Sequence, residues 1–347
     1  MSKLDTEEIT RYEVPEGAHV LSVYLQTHSA ESETVFNQQI TEIRRRFEAE
    51  SEQHEMDDCI KRVWDFIYGF EARAPMLVIF CTATGSLWAR QIDVVLPNTV
   101  RWSEEPYWKP LIEAIDEFEP YGVLLVDDLR SRFFAAGVGR MHEHRSVVRN
   151  PGETLDAYLS RVIQATEEMM RTECPERLVV GGDRRLWSSF LNLSPPYLKE
   201  SIIAMRQIST SASMQEVLRD SSAFEQLAER RFEVRLVDQL LRLAAGHKKV
   251  TLGIRPTLDA LNDNRIWRLV YSEDFAARGG HCLLCDSNYS SELEMCRECN
   301  TAIRPVDELM SVIIARALNQ DASIEQVRGE AAVRLNQAGG IGAFLRF

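Results

Sequence analysis

The segment YGVLLVDDLRSRFFAAGVG, at residues 121–139, combines a short apolar run, a turn and a second run of strand-forming residues. An apolar run of this length that ends at a turn signal is typical of a buried β-strand. The second run, SRFFAAGVG, predicts the partner strand of a hairpin. The segment therefore predicts the start of a domain that contains a β-sheet.

Helices and strands alternate after this hairpin. The polar, basic stretch at 140–153 predicts a loop, and apolar residues at helical spacing predict a helix after it. ERLVVGG predicts a strand, Leu186–Ile203 a partly helical region broken at Ser194-Pro195-Pro196, and Met214–Ala245 a long helix. This alternation indicates an α/β sheet with helices packed on its faces.

The two flanking regions carry the same kinds of pattern. His19–Leu25 predicts a strand, and apolar residues at helical spacing predict two helices after it, including Phe36, Ile40, Ile43 and Phe47 in the first. MLVIFC and LWARQIDVVL predict two further strands. Beyond residue 246, IWRLVYS and the closing IGAFLRF predict strands, and DELMSVIIARALNQ predicts a helix. We therefore expect α/β domains with mixed sheets at 1–118, 119–245 and 246–347.

Composition limits the class of protein. The chain has 347 residues, 45% of them hydrophobic and 27% charged, and a net charge of −13, which together indicate a globular protein. The acidic balance disfavours a protein that coats nucleic acid non-specifically. No apolar run approaches the roughly 20 residues of a membrane span, and MSKLDTEEITRYEVPEG lacks the apolar stretch of a signal peptide. We expect a cytoplasmic monomer whose single cysteines, Cys59, Cys81 and Cys174, remain reduced.

Four of the seven cysteines form two C-x-x-C pairs within HCLLCDSNYSSELEMCREC, at residues 281–299. Two such pairs can supply four thiolates in a tetrahedron, which suits Zn²⁺ with bonds of about 2.3 Å. A shell of four cysteines leaves no position for water, so the predicted site is structural. The expected ligands are Cys282, Cys285, Cys296 and Cys299, in a zinc knuckle at 281–300.

Other uses of the four thiols remain open at this point. They could form a redox pair, hold an iron–sulfur cluster or carry no metal, and His281 could replace one cysteine. No thioredoxin-like context surrounds either pair.

The order of these elements resembles the archaeo-eukaryotic peptide-chain release factor superfamily, which includes Pelota. It is most similar to the bacterial branch, which contains Balon-like hibernation factors. The resemblance covers nearly the whole chain from about His19, and its most specific parts are the C-terminal pattern with the C-x-x-C pairs and the closing GGIGAFLRF. It implies a three-domain tRNA mimic that enters the ribosomal A site, with a C-terminal α/β/α sandwich domain that meets a translational GTPase such as EF-Tu.

Two signatures of true release factors are absent from this sequence. The family carries a Gly-Gly-Gln tip before the long helix of its middle domain, whereas the corresponding stretch here has one glycine, Gly152, and no glutamine after it. The Asn-Ile-Lys-Ser signature that reads stop codons is also missing from the first domain. The resemblance therefore implies a non-catalytic factor that occupies idle or stalled ribosomes. The alternatives are a divergent peptidyl-tRNA hydrolase or nuclease that uses His142, His144 and Glu153, and a protein-interaction module unrelated to the ribosome.

The best candidate RNA contacts lie in the basic stretch. Guanidinium groups match phosphate geometry and imidazoles can stack on bases. A solvated basic loop is the simpler alternative. The candidate residues are Arg140, His142, His144, Arg145 and Arg149.

Several other residues are weaker candidates for RNA, metal or phosphate binding, and structural roles are expected for them. Arg44, Arg45 and Arg46 can pair with Glu42, Glu48 and Glu50 at helical spacing, and Lys248, Lys249 and Arg255 are weaker still. Asp127 and Asp128 follow a buried strand, where a turn-capping role is expected. GGDRR at 181–185 lacks the spacing of a phosphate-binding loop.

Overall fold

The computed structural model describes residues 12, 14, 18–29, 31–46, 50–117, 119–137, 140–173, 175–246, 249–290, 294–306 and 308–347. Phe47, Glu48, Cys174 and Lys248, all named above, lie outside these residues. By compactness the chain divides into Met1–Asp116 with Val234–Phe347, and Glu117–Glu233. We call these the terminal unit and the middle unit. The division into three domains stays a prediction.

The N-terminal part of the terminal unit is an antiparallel sheet in the order β3-β2-β1-β4. The central strands β1 and β2 are nearly continuous apolar runs, VLSVYLQ and MLVIFCT, and they are buried on both faces. The elements are β1 Val20–Gln26, α1 Ser32–Arg44, α2 Glu50–Tyr68, β2 Met76–Thr82, β3 Leu87–Ile92, β4 Thr99–Ser103 and α3 Lys109–Glu117.

Each face of this sheet packs against a different layer. Leu21 and Val23 face α1 and α2, where they meet Phe36. Val20 and Tyr24 belong to a second cluster that also contains residues from the C-terminal end of the chain. The two ends of the chain therefore share one hydrophobic core.

The middle unit contains a five-stranded sheet in the order β7-β6-β5-β8-β9. Strands β5, β8 and β9 are parallel, and the β5–β6 and β6–β7 pairs are antiparallel. The elements are β5 Tyr121–Val126, β6 Arg130–Gly137, β7 Arg140–Val148, α4 Leu155–Thr172, β8 Arg177–Gly182, α5 Arg184–Leu193, α6 Pro196–Ser201, β9 Ile202–Arg206 and α7 Met214–Ala245, whose last turns belong to the terminal unit. Helix α4 packs on one face of the sheet and the start of α7 on the other.

Two predictions for the middle unit were wrong in detail. The stretch at 140–153 is not a loop, because most of it forms the edge strand β7, with Met141 and Val147 buried. The helical region expected through Ile203 ends at Ser201, since β9 pairs with β8 from Ile202 onward.

The glycines of the GGDRR segment have a structural explanation. Gly182 has φ of +105°, and a Cβ there would lie 1.9 Å from the carbonyl oxygen of Val126. The next residue, Asp183, donates its N–H to that same oxygen at 2.8 Å and caps α5 through its carboxylate. The close approach of β8 to β5 therefore requires a residue without a side chain at this position.

The C-terminal part of the terminal unit has two sheets, in the orders β10-β16-β11-β15 and β13-β12-β14. In the larger sheet β11 and β15 are parallel, and the other pairs are antiparallel. The elements are β10 Val250–Leu252, α8 Ile254–Asn262, β11 Ile266–Ser272, β12 Gly279–His281, β13 Asn288–Tyr289, β14 Arg304–Val306, α9 Leu309–Asn319, β15 Ser323–Val327, α10 Gly329–Asn336 and β16 Ile341–Leu345. The α/β class predicted from the sequence is confirmed. None of the helices in the described residues is long and apolar enough to cross a membrane.

A buried charge cluster joins β8 to α7 in the middle unit. The guanidinium of Arg177 lies 2.8 Å from a carboxylate oxygen of Glu225, 2.5 Å from Glu229 and 3.0 Å from Glu119. The side chains of Glu225 and Glu229 are only 6% and 5% exposed. Three carboxylates thus surround one arginine, and burial raises the pKa of Glu225 to about 7 although Arg177 opposes this.

Replacement of Glu225 by glutamine should stabilise the protein more at pH 8 than at pH 5. The pKa of Glu225 when folded exceeds its ordinary value of 4.5, so the contribution of this group to stability is present below about pH 4.5 and is lost as the pH rises through 7. Glutamine mimics the protonated carboxyl, and the gain at pH 8 should be at most about 3 kcal/mol. Thermal unfolding followed by circular dichroism at both pH values measures this.

The exposed Glu200 supplies a matched control, because Glu200→Gln should shift Tm little at either pH. An equal shift for Glu225→Gln at pH 5 and pH 8 would contradict the proposed cause.

Candidate functional site

The four clustered cysteines lie on two turns of the same shape. In the first turn the N–H of Asp286 donates to the carbonyl of Cys282 at 2.8 Å, and in the second the N–H of Asn300 donates to Cys296 at 3.0 Å. Asp286 and Asn300 both adopt left-handed φ values, of 58° and 57°. Asparagine and aspartate tolerate this conformation better than most other residues. The short repeat C-x-x-C, then Asp or Asn, then Ser or Thr, is a signal that the sequence analysis missed.

The two turns bring the sulfur atoms together. The Sγ atoms of Cys282 and Cys299 lie 3.4 Å apart, as do those of Cys285 and Cys296, and all four lie within 4.8 Å of one another. Tetrahedral Zn–S bonds of about 2.3 Å require sulfur separations of roughly 3.8 Å. The donor set therefore fits a four-coordinate Zn²⁺, and zinc occupancy itself stays a prediction.

His281 does not join the cysteines. Its Nδ1 lies 2.9 Å from the amide oxygen of Asn288, and its Nε2 lies 3.6 Å from Asp286. The sequence alternative in which His281 replaces one thiol therefore has no support in this geometry.

The surroundings of the cysteines lower the pKa of two of the four thiols. Burial acts to raise the pKa of Cys296, but hydrogen bonds from the Tyr289 hydroxyl and from backbone N–H groups lower it to about 6. The Thr301 hydroxyl lies 3.4 Å from the Cys299 sulfur, and its hydrogen bond lowers the pKa of that thiol. Burial raises the pKa of Cys282 to about 11. A bound cation would supply the charge needed to deprotonate it.

Replacement of Cys296 by serine should remove one equivalent of zinc per chain. Cys296 is 3% exposed and supplies one of only four donors, and metal binding contributes to folding around such sites. Elemental analysis of the full-length protein measures the loss, and Leu284→Ser, which changes an exposed residue of the first turn, should keep the metal. Equal zinc in Cys296→Ser and wild type, or visible absorption from an iron–sulfur cluster, would reject the assignment.

A second candidate region is the turn between β7 and α4, residues 149–154, which we call the tip turn. The carboxylate of Glu153 accepts hydrogen bonds from the Asn150 N–H at 2.8 Å and from Arg161 at 2.8 and 2.7 Å. The guanidinium of Arg149 donates to the carbonyl of Glu153 at 3.0 and 2.7 Å. Two arginines thus hold Glu153 within the turn.

The backbone of the tip turn is equally ordered by local bonds. Thr154 caps α4 by accepting the N–H of Ala157. Gly152 has φ of +78° with no atom near its missing side chain. The residue after this glycine is Glu153, so an ion-paired carboxylate stands where the family carries the glutamine amide, and the amide side chain of the turn, Asn150, precedes the glycine.

Glu153 should titrate near pH 2 in the native protein. Hydrogen bonds from Arg161 and then from Asn150 lower its pKa to about 2 from the ordinary value of 4.5. The stabilisation that these hydrogen bonds give to the ionised carboxylate is therefore fully present above about pH 4.5 and is lost as the pH falls through 2. Arg161→Met should raise the pKa to between 2 and 4.5, because the Asn150 bond remains. Carboxyl ¹³C NMR measures the pKa of Glu153 in the wild type and in the variant. A wild-type pKa near 4.5 would show that Arg161 and Asn150 do not hold the carboxylate in solution.

The five predicted RNA-contact residues lie on β7 and in the tip turn, where several already have acidic partners. Arg145 pairs with Glu168 of α4. His142 and His144 both contact Glu173, a residue that the sequence analysis did not connect with them. Arg140 begins β7 and is exposed, and Arg149 holds the tip turn. RNA binding by these residues stays a prediction.

Among the weaker candidates, Arg44 and Asp127 have structural contacts. Arg44 pairs with Asp57 of α2, and not with the glutamates of its own helix. Arg45, Arg46, Lys249 and Arg255 are exposed. Asp127 accepts the N–H groups of Leu129 and Arg130, each at 2.8 Å, which is the predicted turn-capping role.

One family model matches the chain, at residues 106–156, and its description is bacterial archaeo-eukaryotic release factor family 10. The matched residues run from just before α3 through β7 and the tip turn to the first residues of α4. This confirms the predicted resemblance to bacterial relatives of archaeo-eukaryotic release factors. The match falls on the middle of the chain, whereas the sequence analysis expected the most specific resemblance at the C-terminal end.

Several solved structures resemble the chain at low identity. Archaeoglobus fulgidus Pelota is 18% identical, with 78% of this chain and 79% of that chain covered and a TM-score of 0.40. Saccharomyces cerevisiae Dom34, a translation termination-like factor, is 10% identical, with 78% and 80% covered and a TM-score of 0.46. The archaeal translation termination factor aRF1 is 14% identical, with 98% and 96% covered and a TM-score of 0.28. No curated protein matches the sequence.

Proposed function

We propose that this protein is a non-catalytic, release-factor-related factor that occupies the A site of idle or stalled ribosomes. The observation that carries the proposal is the tip turn. It lies inside the segment that matches the release-factor family, and Arg161 and Asn150 hold the carboxylate of Glu153 there. The protein would act by filling the site, without breaking a bond.

The chemistry of the tip turn supports this proposal. Release by the family route needs a glutamine after two glycines to position water at the peptidyl ester. In this turn Gly152 is followed by Glu153, whose carboxylate is paired with Arg161 and is only 11% exposed. A paired carboxylate is a weak general base because its pKa is held far below neutral. The carboxylate that follows Gly152 is therefore a poor group for activating water.

The geometry also bears on the hydrolase alternative. That hypothesis requires His142, His144 and Glu153 to act together. The two histidines contact Glu173 just after the C-terminal end of α4, whereas Glu153 lies before its N-terminal end and contacts Arg161. An 18-residue helix is about 27 Å long. This separation favours the non-catalytic hypothesis.

The partners follow from the same resemblance. We expect the ribosome and its RNA as the main partner, with delivery by a translational GTPase such as EF-Tu. The candidate phosphate contacts among the arginines are Arg140 and Arg145 of β7 and Arg149 of the tip turn. Arg145 is paired with Glu168 of α4, so RNA phosphates must compete with that carboxylate.

Neutralisation of three arginines should weaken ribosome binding and its dependence on salt. The variant with Arg140, Arg145 and Arg149 changed to glutamine should bind less 70S ribosome in co-sedimentation. Its slope of log K against log salt should be smaller by roughly one for each arginine that contacts phosphate. Arg219→Gln, an exposed arginine on α7, is the matched control.

Two outcomes of this measurement would change the proposal. Unaltered binding and slope in the triple variant would remove these arginines from the interface. Absence of wild-type protein from every ribosomal fraction of stressed cells would favour the protein-interaction alternative.

A release assay separates occupancy from catalysis. Ribosomes that carry labelled peptidyl-tRNA should retain the label when the protein binds. Release of the label above background by the wild type would support the hydrolase alternative if a His142→Ala variant abolishes that release.

A further inference from the structure

A second group of metal-binding side chains lies in the middle unit, away from the cysteines. His142 and His144 project from β7, and Glu173 directly follows α4. One carboxylate oxygen of Glu173 lies 3.4 Å from Nε2 of His142 and 3.1 Å from Nδ1 of His144. The three ligand atoms lie within 4.8 Å of one another. The function proposed above leaves this cluster unexplained.

The strand explains why both imidazoles face α4. Residues two apart on a β-strand point to the same side, so His142 and His144 share a face. A bulge opposite Phe133 and Phe134 inserts His144 as an extra residue and brings Arg145 to the same side, where it reaches Glu168. The local sequence H-x-H is thus presented to the end of a helix.

The helix end positions the third ligand. The N–H of Glu173 donates to the carbonyl of Met169 at 2.9 Å, which continues the helical hydrogen-bond pattern through this residue. The C-terminal end of a helix carries partial negative charge and favours a nearby cation. Carboxylate oxygens are common ligands of Zn²⁺, so Glu173 can supply the third donor.

We propose that His142, His144 and Glu173 form a site for a divalent transition-metal ion such as Zn²⁺, independent of the four-cysteine site. Bonds of about 2.0–2.1 Å at tetrahedral angles place ligand atoms roughly 3.3 Å apart, close to the two observed distances. Imidazole and carboxylate donors suit zinc, cobalt and nickel better than magnesium or calcium.

The exposure of the ligands defines the kind of site. The side chains of His142, His144 and Glu173 are 54%, 20% and 30% exposed. Three protein ligands and an open side leave at least one coordination position for water or for a donor from a partner molecule. The ion would fasten the edge strand β7 to the end of α4, at the end of the helix remote from the tip turn.

Metal titration of the full-length protein tests the site. Co²⁺ is added to the protein as purified, and its visible absorption is recorded. The proposal predicts one further equivalent bound, with weak bands typical of nitrogen and oxygen ligands and without the intense thiolate-to-cobalt absorption of a four-cysteine site. His144→Ala should abolish this uptake, and Glu173→Gln should weaken it at least about tenfold.

His54→Ala is the matched control, because His54 is an 83% exposed histidine on α2, outside the proposed site. If His144→Ala fails to fold by circular dichroism, Glu173→Gln carries the test, since it keeps the size of the side chain. Wild-type protein that binds no further equivalent, or a folded ligand variant that binds as tightly as wild type, would overturn the proposal. Neither result depends on ribosome binding, so the site and the proposed function are tested separately.

Discussion

Strand β5 is the constraint on which the middle unit depends. All six of its residues are buried, and it pairs with β6 on one edge and with β8 on the other. The hairpin partner β6 in turn fixes β7, and the parallel contact with β8 is close enough to require Gly182. The tip turn and the Glu173 ligand of the histidine cluster lie at opposite ends of α4, which packs on this sheet.

Much of this fold could be predicted from the sequence, because buried strands and long helices have strong local patterns. Ile266–Ser272 and Met214–Ala245 have the predicted bounds. Strand β7 was missed because an edge strand needs few buried residues, and only Met141 and Val147 are buried in a polar run. Strand β9 was missed because it begins directly after a short helix.

The two clusters of possible metal ligands also differ in how well the sequence predicts them. The four cysteines lie within one short segment, so their spacing alone predicted the group. Glu173 lies 29 residues from His144 and meets it only through the packing of α4 on the sheet. The pairing of Glu153 with Arg161 likewise depends on how the turn enters the helix. Contacts of this second kind follow from tertiary structure and have no signature in a single sequence.

Charge pairing connects these observations with function. The chain has a net charge of −13, and basic residues of the middle unit such as Arg145 and Arg161 have acidic partners of their own. A protein of this kind would bind RNA at a few defined points and not along a basic surface. The proposed role therefore depends on the fit of the protein to the A site and on a tip turn that does not catalyse peptide release.

A cryo-EM map of the full-length protein with 70S ribosomes that carry peptidyl-tRNA tests the central claim most directly. We predict the middle unit in the A site, with the tip turn at the peptidyl-transferase centre and the nascent chain still attached to the P-site tRNA. Density at another site of the ribosome, or a bound protein beside a deacylated P-site tRNA, would contradict it.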